Sequence, residues 1–199
     1  MKNNGFLGKK KNLLGLGGIA IIIALSLINL IINPRPFDPL KLPSPMVTHE
    51  GKYFPFVIQY PERWSFFETP KGDHGDKEVI AAINVLVPTV VISRKTMESP
   101  SIDSAVAWGM ERAGRCENFL VTSQQAYQTA FTTGVQLNYT CSRYISAFSR
   151  EKGTCPCRNY YTISESYAYQ LTFCATEAQW TEVEEVFDTM IESFYLNDK

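Results

Sequence analysis

Five cysteines and two histidines carry most of the chemistry this chain of 199 residues could offer. Cys155-Pro156-Cys157 sets two thiols two positions apart, close enough to trade electrons or to supply half of a soft-metal site. A dithiol redox centre calls for Cys-x-x-Cys opening a helix, where the dipole lowers a thiol pKa. A zinc site calls for two further ligands at a recognisable spacing. Neither context is present. The pair lies with Lys152, Gly153 and Arg158 between two segments rich in strand formers, which predicts the exposed tip of a hairpin. The simpler reading is a structural staple, made locally or to Cys141 or Cys116, and the odd number of cysteines leaves at least one thiol unpaired. Cys174 follows Phe173 in an apolar alternation and reads as a small core residue.

His49 adjoins a proline-rich stretch and reads as a solvated loop residue. Gly72-Asp73-His74-Gly75-Asp76 puts two carboxylates and an imidazole on one turn. Oxygen and nitrogen ligands of that kind can hold a divalent ion, but Gly-Asp is ordinary turn chemistry and a flexible turn seldom fixes coordination geometry. The sequence therefore assigns no metal and no cofactor. No Gly-x-Ser-x-Gly, Ser-x-x-Lys or post-strand Gly-x-Gly-x-x-Gly pattern is present, so no catalytic residue is assigned and the expectation is a protein that is not an enzyme. Asn138-Tyr139-Thr140 matches a glycosylation acceptor but falls inside a strand pattern.

Charge is unevenly divided along the chain. The four charges before residue 34 are all lysines (Lys2, Lys9, Lys10, Lys11), which leaves fifteen basic against twenty acidic side chains beyond them. A net of −5 beyond residue 33 argues against a general nucleic-acid binder, because phosphate rewards a basic face. Leu13 to Ile32 is 20 residues without a charge, the length a helix needs to cross hydrocarbon. It ends in Asn33-Pro34 rather than in a small-x-small cleavage site, so it reads as an uncleaved anchor. Lysines before it and only Arg35 and Lys41 soon after it place the amino terminus in the cytoplasm and the remainder outside. Gly15, Gly17 and Gly18 within it are common residues of membrane helices and also let helices approach closely. The expected organisation is a basic cytoplasmic segment (1–12), a transmembrane anchor (13–33), a proline-rich spacer (34–48) and one extracytoplasmic domain (49–199), tethered in a membrane of bacterial type.

Within that domain Phe54, Phe56, Ile58 and Tyr60 alternate as one face of a strand, and Pro61-Glu62-Arg63 turns the chain into Trp64 and Phe66. Residues 69–77 read as an exposed loop, and Val79 to Val87 and Val90 to Lys95 as strands separated by Pro88. Ser101 caps a helix to about Ala113, with Gly114 placed to stop it. Phe119–Ala126, Gly134–Phe148 and Asn159–Ala175 predict three longer strands. Thr176 and Gln179 form a capping box for a last helix whose apolar stripe is Trp180, Val183, Phe187, Met190, Ile191 and Phe194.

Phe56-Val57-Ile58-Gln59-Tyr60-Pro61-Glu62-Arg63-Trp64, followed much later by Tyr169, Leu171, Phe173 and Ala175 and by Phe187, Met190, Ile191, Ser193 and Phe194, resembles the PsbP-like superfamily over the whole outer domain. The resemblance implies an α+β fold, an α/β/α sandwich with a central antiparallel sheet flanked by helices, and a binding or assembly role without a shared catalytic centre. It is nearest to the membrane-anchored bacterial members. The expected function is a membrane-tethered binding or assembly module acting on a protein complex at the membrane. One alternative is a carrier of a small apolar or sugar-like ligand held by Tyr160, Tyr161, Tyr167 and Tyr169, and the other is a thiol redox protein using Cys155 and Cys157. Arg150, Lys152 and Arg158, opposed only by Glu151, make a basic spot of net +2 at the expected hairpin tip and are the expected partner-binding residues.

Overall fold

Alternation along residues 56–61 buries Phe56 and Ile58, and that strand organises a small sheet of its own. In the computed structural model, which describes residues 44–69, 78–83, 88–144 and 152–197, β2 (Phe56–Pro61) is flanked on both sides by antiparallel strands, β1 (Met46–Glu50) and a short final strand β10 (Tyr195–Leu196). The chain divides into residues 1–38 and 39–199, and the description below concerns the second unit alone. The anchor, most of the spacer, the turn of Asp73, His74 and Asp76, and Arg150 lie outside the described residues. Among the described residues no helix is long and apolar enough to cross a membrane, and no three His, Cys, Asp or Glu side chains converge as metal ligands.

The larger sheet is antiparallel throughout and has seven strands in the order β3-β4-β5-β9-β8-β7-β6. These are β3 (Phe66–Glu68), β4 (Glu78–Ile83), β5 (Thr89–Thr96), β6 (Leu120–Gln128), β7 (Thr133–Tyr144), β8 (Lys152–Ile163) and β9 (Tyr167–Cys174). Two helices complete the domain, α1 (Ile102–Ala113) and α2 (Glu177–Ser193). Both begin where the sequence predicts. The Ser101 hydroxyl accepts from the Ser104 amide while Ser104 returns the bond, and Thr176 and Gln179 do the same for α2, so each helix start satisfies orphan amide donors.

Side-chain parity separates two cores. Tyr160 lies on one face of β8 with Tyr169, Leu171 and Phe173, under Phe187, Met190 and Ile191 of α2 and against Phe56 and Ile58 of the small sheet. Tyr161, one position on, lies on the other face with Leu137 and Tyr139, under Ala105 and Trp108 of α1. The motif residues Phe56, Ile58, Trp64, Tyr169, Leu171, Phe173, Ala175, Phe187, Met190, Ile191 and Phe194 thus meet in a single cluster. Ser193, the polar member of that motif, accepts from the amide of Gln59 at 3.0 Å and fixes the end of α2 to β2. Gly109 of α1 leaves room for a ring: a Cβ there would stand 2.1 Å from the Tyr161 ring.

Three features depart from the sequence reading, and one lies beyond it. β1 takes in Met46, Val47 and Thr48, assigned above to the spacer, because their backbones pair with Pro61, Tyr60 and Gln59. Asn159–Ala175 is two strands and not one, folded back at Ser164-Glu165-Ser166, where Ser164 donates to the carbonyl of Tyr167 at 2.9 Å. Residues 145–148, read as the end of a strand, lie outside the described residues. A second sheet and β10 were not anticipated, since a two-residue strand leaves no periodic trace.

Candidate functional site

The cysteines were expected at a hairpin tip, and the structure places them inside the sheet. Because β7 and β8 pair with Cys141 opposite Cys155 and Tyr144 opposite Lys152, both thiols lie within the ladder and not at its end. Cys155 and Cys157 are buried on the α1 face, together with Cys141 on β7 and Cys174 on β9. Cys157 is disulfide-bonded to Cys174, its register partner, with an S–S distance of 2.06 Å. This corrects two expectations. Cys174 is a staple partner rather than an isolated apolar residue, and Cys157 is committed across the sheet and so does not pair with Cys155 as a dithiol. Pro156 is accommodated because β8 here runs past the last residue pair it makes with β9.

Cys116, Cys141 and Cys155 remain free. Cys116 follows α1 and donates to the carbonyl of Ser142 at 3.3 Å, beside Cys141. Next to it Asn118 takes a left-handed backbone, φ 57°, and its side-chain amide donates to the Ser142 hydroxyl at 2.9 Å. Burial first, and then the neighbouring Cys141, push the Cys116 thiol up to about 11, and burial likewise raises Cys155. A thiol of this kind is almost wholly protonated at neutral pH and a poor nucleophile. Alkylation of Cys116 by iodoacetamide is expected to climb about tenfold per pH unit from pH 8 to 10, where an ordinary thiol of pKa about 8.5 would already level off. Mass-spectrometric rates on the Cys116 peptide check this, and a plateau by pH 9 contradicts it.

Arg158 was expected exposed, and it is only 6 % exposed. Its position on β8 faces α2, so the guanidinium reaches Glu184 at 2.6 Å and bonds Asp188 one turn on. Its Nε donates to the Asn138 side chain at 2.9 Å, and its guanidinium carbon lies 5.4 Å from the centroid of the Trp180 ring. Arg158 is therefore a bracket between sheet and helix and no part of an exposed basic spot. Asn138, the matched glycosylation acceptor, is engaged by Arg158 and by Ser123. Lys152 is exposed and ion-paired with Glu117, which leaves its charge balanced locally. Of the three expected partner-binding residues, Lys152 and Arg158 are engaged with different acids, and Arg150 lies outside the described residues.

The remaining expectations resolve by position. Tyr160, Tyr161 and Tyr169 are fully buried, with Tyr160 and Tyr161 on opposite faces of the sheet, so they line no common groove. The Tyr160 hydroxyl is 2.7 Å from that of Thr132, and Tyr161 accepts from Asn159 at 2.7 Å. His49 is half-buried on β1, not a solvated loop residue: its ring lies tilted against Phe66 with centroids 3.8 Å apart. Its Nε2 lies 3.2 Å from Glu68, whose carboxylate also accepts from the amides of Lys52, Tyr53 and Phe54 at 2.9, 2.8 and 3.2 Å. Glu68 so ties the loop of the small sheet to β3 of the large one.

What the fold leaves open is β6. It is the edge strand of the large sheet, nine residues long, Leu-Val-Thr-Ser-Gln-Gln-Ala-Tyr-Gln, with no charge and no proline. All but Tyr127 are exposed, including Leu120 at 63 %. Sequence reasoning saw a strand here but had no means of knowing that it lies at an edge. By sequence the chain matches no family model and no curated protein. By structure it is similar to cyanobacterial PsbP from Synechocystis, with 13% identity, TM-score 0.47, and coverage of 76% of this chain and 92% of that one. It is also similar to LpqN of Mycobacterium tuberculosis, described as involved in cell envelope biogenesis (11%, TM-score 0.49, 78% and 87%). A third similar structure is PA94 of Pseudomonas aeruginosa, a putative regulator (16%, TM-score 0.45, 74% and 94%). The likeness is one of fold.

Proposed function

We propose that this chain is a membrane-tethered, non-enzymatic binding module that takes up an extended protein segment along β6 and so assembles a complex at the membrane. The carrying observation is the open edge itself. Sheet edges present unpaired amide and carbonyl groups, and natural proteins usually blunt them with Lys, Pro, short strands or a covering element. β6 has none of the first three, and its one irregularity is a register shift between Val121 and Ser123, near one end. Strand addition uses such a template: main-chain bonds supply affinity and alternate side chains supply selectivity. The uncharged run Leu13 to Ile32 supports the tether.

The test places a photo-reactive residue at Gln124 in the full chain within intact cells, with the exposed Asp103 on α1 as the control position. Adducts of discrete mass from position 124 alone, in a membrane fraction that resists alkaline washing, are the expected result. Absence of adducts, equal adducts from both positions, or release from the membrane by the wash contradicts the reading.

A further inference from the structure

We propose that Cys116 and Cys141 are the site of a second disulfide, closed by exchange with a small-molecule disulfide that enters at Cys116, and that this bond straps the end of α1 to β7. The backbone already holds the two residues side by side. Ser142, which follows Cys141, donates its amide to the carbonyl of Glu117, which follows Cys116, at 2.7 Å. Asn118 donates from its side chain to the Ser142 hydroxyl at 2.9 Å, and the Cys116 thiol donates to the Ser142 carbonyl at 3.3 Å. These bonds clamp residues 116–118 to one residue of β7. Both cysteines belong to the core under α1, Cys141 buried and Cys116 packed against it, and their side chains interact directly. A disulfide needs Cα atoms no more than about 7 Å apart and side chains that converge. A backbone bond between the flanking residues, with contact between the side chains, provides both.

Cys155 is the rival partner, since it stands opposite Cys141 in the ladder of β7 and β8. Its thiol is turned elsewhere: it donates to the carbonyl of Gly153, two residues back along its own strand, at 3.7 Å. With Cys157 and Cys174 already joined, the five cysteines resolve into two bridges and one buried thiol. Access selects the point of entry. Cys141 is buried whereas Cys116 is partly open, so an external disulfide, RSSR, meets Cys116 first.

The Cys116 thiolate attacks one sulfur of RSSR: a bond from Cys116 to SR forms, the bond within RSSR breaks, and the departing RS− takes up the proton that Cys116 lost. Cys141, deprotonated in its turn, attacks the Sγ of Cys116. The bond between Cys116 and Cys141 forms, the bond to SR breaks, and the second RS− leaves with the proton from Cys141. Two protein thiols are oxidised and one RSSR is reduced to two RSH. The charged and titratable groups around the pair are Arg143 and Tyr139 on β7 and Lys152 on β8, the last held by Glu117. Arg143 hydrogen bonds with Cys141 and offsets the negative charge that passes between the sulfurs. Burial keeps the Cys116 thiol protonated near neutral pH, so the first step is slow there and the form with one bond persists until a disulfide is supplied.

The full chain in detergent micelles, incubated with glutathione disulfide across a range of pH and mapped by non-reducing proteolysis and mass spectrometry, tests this. The peptides of Cys116 and Cys141 are expected to appear joined, at a rate that climbs about tenfold per pH unit from pH 7 to 9. Free thiols fall from three to one, the one being Cys155. C141A is expected to stop at the glutathione adduct of Cys116, and C155A to close the bridge as the unmodified chain does. The bond closes a loop that contains all of β6, so the form with two bonds is expected to melt about 10 °C above the form with one. A glutathione adduct that persists on Cys116 with Cys141 present, a bridge between Cys141 and Cys155, or three thiols unchanged at pH 9 overturns the proposal. So does a form with two bonds that melts no higher.

Discussion

Removing Glu184 and Asp188 together by E184A/D188A is expected to cost the domain about 3 kcal/mol, more than removing Arg158 by R158M, which is expected to cost about 1 kcal/mol. The asymmetry comes from where each charge sits. Arg158 is buried, whereas Glu184 and Asp188 keep 43% and 46% of their side-chain surface. Without the acids a guanidinium is left in the interior with only Asn138 and the Trp180 ring. Without the arginine, two carboxylates remain in water, a turn apart on α2, repelling by a few tenths of a kcal/mol. D188N alone is expected to cost less than E184A/D188A, because Glu184 still pairs with Arg158. Burial raises the Asp188 carboxyl above its ordinary 3.8 despite the pull of Arg158, so charging it costs the fold something and an amide mimics the protonated form. The sign for pH follows: between 3.8 and the raised value the native state binds more protons, and on this account stability increases as pH falls through that window. Urea midpoints at constant m-value measure all three variants. Equal losses for R158M and E184A/D188A would show that the burial difference carries no energy.

Opening the Cys157–Cys174 bond is the second large effect. The two residues are 17 apart in sequence, and cross-linking a loop of that length restricts the unfolded chain by about 3 kcal/mol. For a domain of this size that is about 10 °C in Tm. The bond lies at the last register pair of β8 and β9, two residues before the Thr176 cap. The strand ends there, and the disulfide holds both the register and the start of the helix that clasps Arg158. C157A/C174A is expected to melt about 10 °C lower and to ignore reductant, while the unmodified domain falls to a similar value once reduced. An unmodified melt unmoved by a strong reductant, with free thiols confirmed by titration, would remove the bond from the stability of the domain.

Local signals in the sequence suffice where the structure is local. Ser101 and Thr176 cap their helices, and the stripe of Val183, Phe187, Met190 and Ile191 is buried, because propensity, capping and period agree along those segments. One further signal is present but outweighed. Ser164-Glu165-Ser166 is a polar break inside a run of strand formers, and treating the run as continuous hid a hairpin. That hairpin is what brings Cys174 opposite Cys157. Arg158 illustrates what no local pattern holds. Its type, its neighbours and the nearby Gly153 all suit a loop, and its burial follows only from two acids on a helix 26 and 30 residues later. The edge status of β6 depends likewise on strand order, a global property.

The small sheet has a mechanical side. β1 enters the domain antiparallel to β2, with Met46 opposite Pro61 and Glu50 opposite Val57. Tension applied through the residues before Met46 therefore loads the ladder one pair at a time from its open end, peeling it like a zipper and not shearing five pairs together. Release of β1 would lengthen the chain by about 17 Å at 3.3 Å per residue. β1 yields first along that path, before the large sheet, the disulfide and the β6 edge. β1 is thus a strain-relief coil between whatever holds the amino-terminal side and whatever the domain grips.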